Sequence, residues 1–202
     1  MINPAAYFDV LSLGERISRA IKSFSRQEAH LLGYAACLLS LYEGKPVADW
    51  GYEFVATGHG LPFSEEMSTS IDIALNLQYV RAEGTLLTVT EDGLTEISNL
   101  RELEANRERD RYLEGAADCL LVFNPGSVRE AFSYDSTISF LRSGNRTEWL
   151  LTAPIVERLY INFEQLRRAL TYEPRDLSVP MVSWLKYLIQ SGRNVPYDHT
   201  EN

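Results

Sequence analysis

Few residues of this 202-residue chain are equipped to do chemistry: three histidines (His30, His59 and His199), two cysteines (Cys37 and Cys119) and the acidic pair Glu65-Glu66. A metal site needs several such donors at ligand spacing, and these stand singly. His30 follows a helix-start signal, His59 lies between Gly58 and Gly60 in a turn, and His199 is near the C-terminal end. Gly58-His59-Gly60 lacks the downstream Lys-Ser/Thr of a phosphate loop and does not follow a strand. No nucleophile elbow is present. Glu65-Glu66 opens a helix, where the helix dipole stabilises negative charge, and that role accounts for the pair without acid–base catalysis. The expectation is a protein with no catalysis, cofactor or metal of its own.

Composition limits what can position these residues. The chain is 45% hydrophobic and 23% charged, ordinary for a folded protein and enough to bury a sizeable core. Nineteen basic residues against 28 acidic give a net charge of −9, and a free-standing nucleic-acid binder usually carries a basic working face. The cysteines fall in apolar, helical-looking runs and read as buried reduced thiols. No apolar run reaches the ~18 residues of a membrane span. MINPAAYFDV has no signal-peptide shape. A cytoplasmic protein without membrane contact is expected.

The spacing of Val10, Leu13, Ile17, Ala20, Ile21 and Phe24 predicts an amphipathic helix over 10–24, with Arg16, Arg19 and Lys22 on its far side. Ser25-Arg26-Gln27-Glu28 is a capping box. It opens a second helix, 26–43, apolar on more than one side and therefore central, which Gly44 ends. Residues 46–57 read as a short helix, and Ser64 caps a third over 65–79 with Met67, Ile71, Ala74, Leu75 and Gln78 on one stripe. Tyr79 to Thr90 reads as strand, turn at Glu83-Gly84, strand, and Thr90-Glu91-Asp92-Gly93 opens a helix carrying Leu94, Ile97 and Leu100. Helix, short helix, helix, two-stranded ribbon, helix is the order of a winged helix-turn-helix.

Beyond residue 100, Arg101, Arg107, Arg109 and Arg111 alternate with Glu102, Glu104, Glu108 and Asp110, which predicts a solvated, salt-bridged helix face. That helix runs to Phe123 and stops at Asn124-Pro125-Gly126. Ser127-Val128-Arg129-Glu130 reads as a second capping box. Further helices are expected over 135–142, 153–170 (capped by Thr152, with Pro154 in its first turn) and 179–190 (capped by Ser178), then a frayed tail from 192. The expected fold is mainly α: a winged-helix domain with its N-terminal helix over 1–100, followed by an all-helical unit over 101–202, with the seam near 98–106.

Charge decides what such a winged helix meets. Pro46 to Val80 contains no Lys or Arg and five acidic residues, Asp49, Glu53, Glu65, Glu66 and Asp72. The ribbon and following helix set one Arg, Arg81, against Glu83, Glu91, Asp92 and Glu96. Affinity for DNA is largely phosphate neutralisation, so this face repels a duplex and is expected to bind protein. One basic stripe remains, Arg16, Arg19 and Lys22. It reads as a solvated face, or alternatively as a contact for DNA or an acidic partner. Most aromatics of the second half belong to a core, and Trp149 and Trp184 are also candidates for interface anchors.

In the helix with Leu31-Leu32-Gly33-Tyr34, the turn at Leu61-Pro62 and the wing from Leu86 to Gly93, residues 10–100 resemble winged-helix accessory subunits of bacterial SMC-like or ABC-type ATPase complexes. The pattern is most similar to the middle component of three-component Lamassu-type defence systems. It is similar in organisation to condensin-like winged-helix subunits too, although no second winged helix is evident over 105–190. The resemblance implies a non-catalytic adaptor between an SMC-like ATPase and a nuclease effector in antiphage or anti-plasmid defence, touching DNA only within the complex. Two other readings stand beside it. One is a winged-helix transcription regulator holding DNA through Arg16, Arg19, Lys22 and the arginines of 101–111. The other is an antitoxin-like inhibitor whose acidic face masks a basic partner.

Overall fold

The computed structural model describes residues 2–57, 60–135, 138–139, 148–170 and 174–193. The protein is mainly helical. Helix α1 spans Pro4–Ile21 and starts six residues before the apolar stripe. Asn3 caps it, its side chain accepting from the Ala6 N–H, and Pro4 supplies the first-turn φ without needing a donor. Val10, Leu13 and Ile17 are fully buried as expected, whereas Ala20 is exposed. After β1 (Phe24–Ser25) the Ser25/Glu28 capping box opens α2 (Arg26–Tyr42), buried from Ala29 to Tyr42. A helix apolar all round can only be central, and α2 packs against α5, α1 and the elements around them.

The chain between α2 and α3 departs from the expected short helix. Only Val47–Trp50 is helical, as one 3-10 turn. Gly51 then takes φ +85°, a left-handed conformation that glycine adopts without strain, and reverses the chain into an extended run. Strand β2 (Val55–Ala56) pairs antiparallel with β3 (Pro62–Phe63). Alternating aromatic residues over Trp50, Tyr52 and Phe54 explain the difference. They are buried on one side while Gly51 and Glu53 face out, a period of two rather than 3.6.

Ser64 caps α3 (Glu65–Asn76), which leads into the ribbon β4 (Val80–Glu83) and β5 (Leu86–Val89). Gly84, φ +63°, closes the ribbon, and β5 also pairs with β1, giving the sheet order β1-β5-β4. Thr90 caps α4 (Glu91–Arg101). The chain breaks at Glu102-Leu103 and resumes as α5 (Glu104–Asp118), followed by a 3-10 turn at Cys119–Leu121. Asn124, not Ser127, caps α6 (Pro125–Ser133): its side chain accepts from the Ser127 N–H at 2.9 Å, and Pro125 starts the helix. Strand β6 (Glu148–Trp149), α7 (Ala153–Leu170) and α8 (Ser178–Arg193) complete the described chain. Most of the helix expected at 135–142, the tail beyond 193, His59 and His199 lie outside the described residues.

One buried cluster runs from Ala6 to Leu188 and takes in Ile97, Leu113 and Phe132 on the way. Residue 100 therefore lies at no break in the core: α5 packs on both α1 and α2. Tyr34 of α2 meets Phe54 edge-on at 5.4 Å and Phe132 at 5.8 Å, joining the segment before β2 to α6 through one ring.

Candidate functional site

The acidic segment before β2 is held from beneath by charges that its own pattern does not announce. Asp9 on α1 is fully buried, and Arg109 on α5 is nearly so. The guanidinium grips the carboxylate with two bonds, Nε to Oδ1 at 2.5 Å and Nη2 to Oδ2 at 2.7 Å. Its Nη1 donates to the Trp50 carbonyl at 2.8 Å, and its carbon lies 3.8 Å over the Trp50 ring. The Tyr52 hydroxyl donates to Asp9 at 2.5 Å. Burial disfavours charge on Arg109, but the Asp9 carboxylate overrides it and holds the guanidinium above its ordinary pKa. Burial, with Asp9 beside it, pushes the Tyr52 hydroxyl up, so it stays a donor.

A second layer of charge lies alongside. Arg16 pairs with Asp110 at 2.7 Å and with Glu114 at 3.1 Å, and its side chain is only 11% exposed. Arg101 meets Glu15 at 2.5 Å and Asp110 at 3.2 Å, while Ser12 donates to Asp110 at 2.6 Å. Arg19 pairs with Glu15 as well. The basic stripe of α1 is therefore only partly a free surface. Arg16 turns inward to α5, Arg19 pairs with Glu15 but keeps its side chain 69% exposed, and Lys22 stays open at the positive-φ residue that closes the helix. Arg101 and Arg109, expected on a solvated face, are likewise part of this interior network.

The acidic residues divide. Asp72 pairs with Arg26 at the start of α2. Asp49 lines a small recess of about 100 Å³ beside Lys45, Glu108 and Arg109. Glu53, Glu65 and Glu66 gather around Trp149, which the β2–β6 pairing brings opposite Val55. The Leu150 N–H, bonded to the Phe54 carbonyl at 2.9 Å, fixes that register. Trp149 is 54% exposed. Two hollows, of about 630 and 510 Å³, flank it and share Glu53, Glu66 and Trp149 as walls. Among the described residues no Lys or Arg lines either one.

His30 supports this corner from within. Its Nδ1 accepts from the Ser64 N–H at 3.3 Å, and its ring packs on Phe63 at 4.8 Å. Burial, helped by Arg26, pushes its pKa down to about 4, so it is neutral at ordinary pH. Trp184, in contrast to Trp149, is 4% exposed and edge-on to Phe163 at 5.2 Å, so it is core and not an interface anchor. Cys37 and Cys119 are free and buried, and burial pushes Cys119 up to about 12 and Cys37 higher, which leaves both poor nucleophiles.

Sequence reasoning does not single out Asp9, Trp50 or Tyr52, and it sets Arg109 on a solvated face, whereas Arg109 pairs with buried Asp9. The available signal was an acidic residue, Asp9, one step from Val10 on an apolar helix face, which demands a buried cation. Comparison of the chain with family models, with curated proteins and with solved structures found no match. Among the described residues no group of three or more His, Cys, Asp or Glu side chains is placed to hold a metal ion, and no helix is long and apolar enough to cross a membrane.

Proposed function

We propose that this chain is a non-catalytic adaptor that binds partner proteins through its acidic face. One observation carries the reading: Glu53, Glu65 and Glu66 converge beside half-exposed Trp149 with no lysine or arginine among the described residues that line the hollows there, whereas Arg16, Arg101 and Arg109 are engaged inside the protein. The order α1-β1-α2-α3-β4-β5, with β1 pairing on β5, supports a winged-helix reading of the first half. On that reading α3 is the element that would enter a groove of DNA, and Glu65, Glu66 and Asp72 make it repel phosphate. An aromatic anchor rimmed by carboxylates suits a protein partner better.

The resemblance supplies the candidate assembly: an SMC-like or ABC-type ATPase with a nuclease effector, in cytoplasmic antiphage or anti-plasmid defence. The test is co-expression with the products of the neighbouring genes, followed by size-exclusion chromatography. A stable complex containing a coiled-coil ATPase is the expected result. A chain that elutes alone beside every neighbour rejects the adaptor role, and sequence-selective binding of duplex DNA by the isolated chain would replace it with the regulator reading.

A further inference from the structure

We infer that the paired hollows on either side of Trp149 receive an extended segment of a partner protein in which lysine or arginine alternates with apolar residues. The inference rests on the adaptor reading and names what its acidic face recognises.

The chemistry of the walls selects the occupant. Both hollows fall within the ~300–1,000 Å³ of formed ligand pockets, far more than a lone ion fills. Much of the lining is apolar: Phe54 and Leu151 in one, Val55 and Phe63 in the other. The negative charge is supplied by Glu53 and Glu66 in both, and by Glu65 in the second. The carboxylates of Glu53 and Glu65 have no ion-pair or hydrogen-bond partner among the described residues, and that of Glu66 accepts only from the Ser64 hydroxyl, at 2.9 Å. The indole between them offers an aromatic face, on which a guanidinium or ammonium is attracted by the ring quadrupole. Arg109 already rests on the Trp50 ring in this way inside the same segment.

Lysine and arginine alone combine a cationic head with a long aliphatic stem, which matches carboxylates set above an apolar floor. Two hollows that share Glu53, Glu66 and Trp149 as walls call for successive side chains entering both, as an extended peptide provides. Nucleic acid has the wrong sign.

The test uses the full chain and a synthetic peptide, acetyl-Gly-Leu-Arg-Leu-Lys-Val-Gly-amide, with isothermal titration calorimetry and tryptophan emission as readouts. Saturable binding with a change in emission is expected. Replacing Arg and Lys of the peptide by Gln should weaken it roughly tenfold or more, and so should Trp149→Ala or the pair Glu53→Gln and Glu66→Gln. Each variant should keep the parent's circular dichroism and melting curve, because the altered side chains lie at the surface. No saturable binding, equal binding by the variants, or spermidine binding as tightly as the peptide overturns the inference. The co-expression experiment separates the two claims. A complex that forms and is untouched by the three substitutions leaves the adaptor standing and removes this docking mode, whereas the absence of any complex removes the adaptor itself.

Discussion

Two sets of three carboxylates lie in this protein, and the chain treats them oppositely. Asp9, Glu15 and Asp110 stand where α1 meets α5, and each faces an arginine: Arg109, Arg101 and Arg16. Glu53, Glu65 and Glu66 stand around Trp149 with no lysine or arginine beside them among the described residues. Burial explains the contrast. A carboxylate removed from water must be neutralised where it sits, so the fold supplies its cation. A carboxylate left in water needs no partner to be stable and stays available to one that arrives. Charge in the first set is consumed by folding, and charge in the second is left for recognition.

The largest test of that division breaks the buried pair. Asp9→Ala leaves Arg109 under Trp50 without its counter-charge, and Arg109→Ala strands Asp9. Each is expected to lose about 3–5 kcal/mol in urea unfolding. Asp9→Leu combined with Arg109→Met should lose much less than the two single alanine changes added together, because no charge is then left unpaired. Arg109→Ala should also speed amide exchange over residues 50–54, since Arg109 holds the Trp50 carbonyl and Asp9 holds Tyr52. Losses below ~1 kcal/mol would place this pair with ordinary surface ion pairs and end the contrast.

That pair was the least legible part of the sequence. Helical periodicity marks which residues face inward, and it locates α2, α3, α7 and α8 closely, helped by the capping residues Ser25 and Ser64 at the starts of α2 and α3; at α8 the expected cap, Ser178, is instead the first helical residue, and the Asp176 side chain accepts from its N–H at 2.8 Å. It failed where the period changed: Trp50, Tyr52 and Phe54 alternate and were absorbed into a helix. It failed differently at Arg101 to Arg111. A run of mixed charges looks the same whether its partners are neighbours in sequence or residues 100 and 94 positions away, as Asp9 is from Arg109 and Arg16 from Asp110. Glu53, Glu65 and Glu66 were singled out by sign alone, and Trp149 by type. Their meeting was invisible because a two-residue pairing, Val55 with Trp149, spans the gap between distant segments.

A smaller effect probes the neutral support under the exposed set. His30 has its pKa pushed down to about 4, chiefly by burial, against about 6.5 for an unfolded chain. As pH falls below 6.5 the unfolded state takes up a proton that the folded state refuses until pH 4. The stability fully present above 6.5 is therefore lost progressively across that window, by about 3 kcal/mol. Urea midpoints followed from pH 7 to 4 should show this loss in the parent and a shallower one in His30→Phe. Identical slopes in the two proteins would mean that His30 is not the group responsible. At the rim, Arg26→Ala is expected to cost no more than about 1 kcal/mol, since its pair with Asp72 is open to solvent.

The smallest expected change is the most informative. Glu53→Gln, Glu65→Gln and Glu66→Gln together should move stability by no more than about 0.5 kcal/mol. Two small effects oppose each other. Glu65 and Glu66 occupy the first turn of α3, where the helix dipole favours negative charge, so their neutralisation removes a modest gain. The three carboxylates also repel one another around one ring, and neutralisation relieves that repulsion. Glu53→Gln alone isolates the second effect, because Glu53 lies on no helix, and it should be neutral or slightly stabilising. Acids that fold without help from partners cost the fold little when they are removed. A loss of about 2 kcal/mol or more from the triple change would mean that these carboxylates hold structure as Asp9 does. Both sets would then serve folding, and the charge beside Trp149 would no longer point to an outside partner.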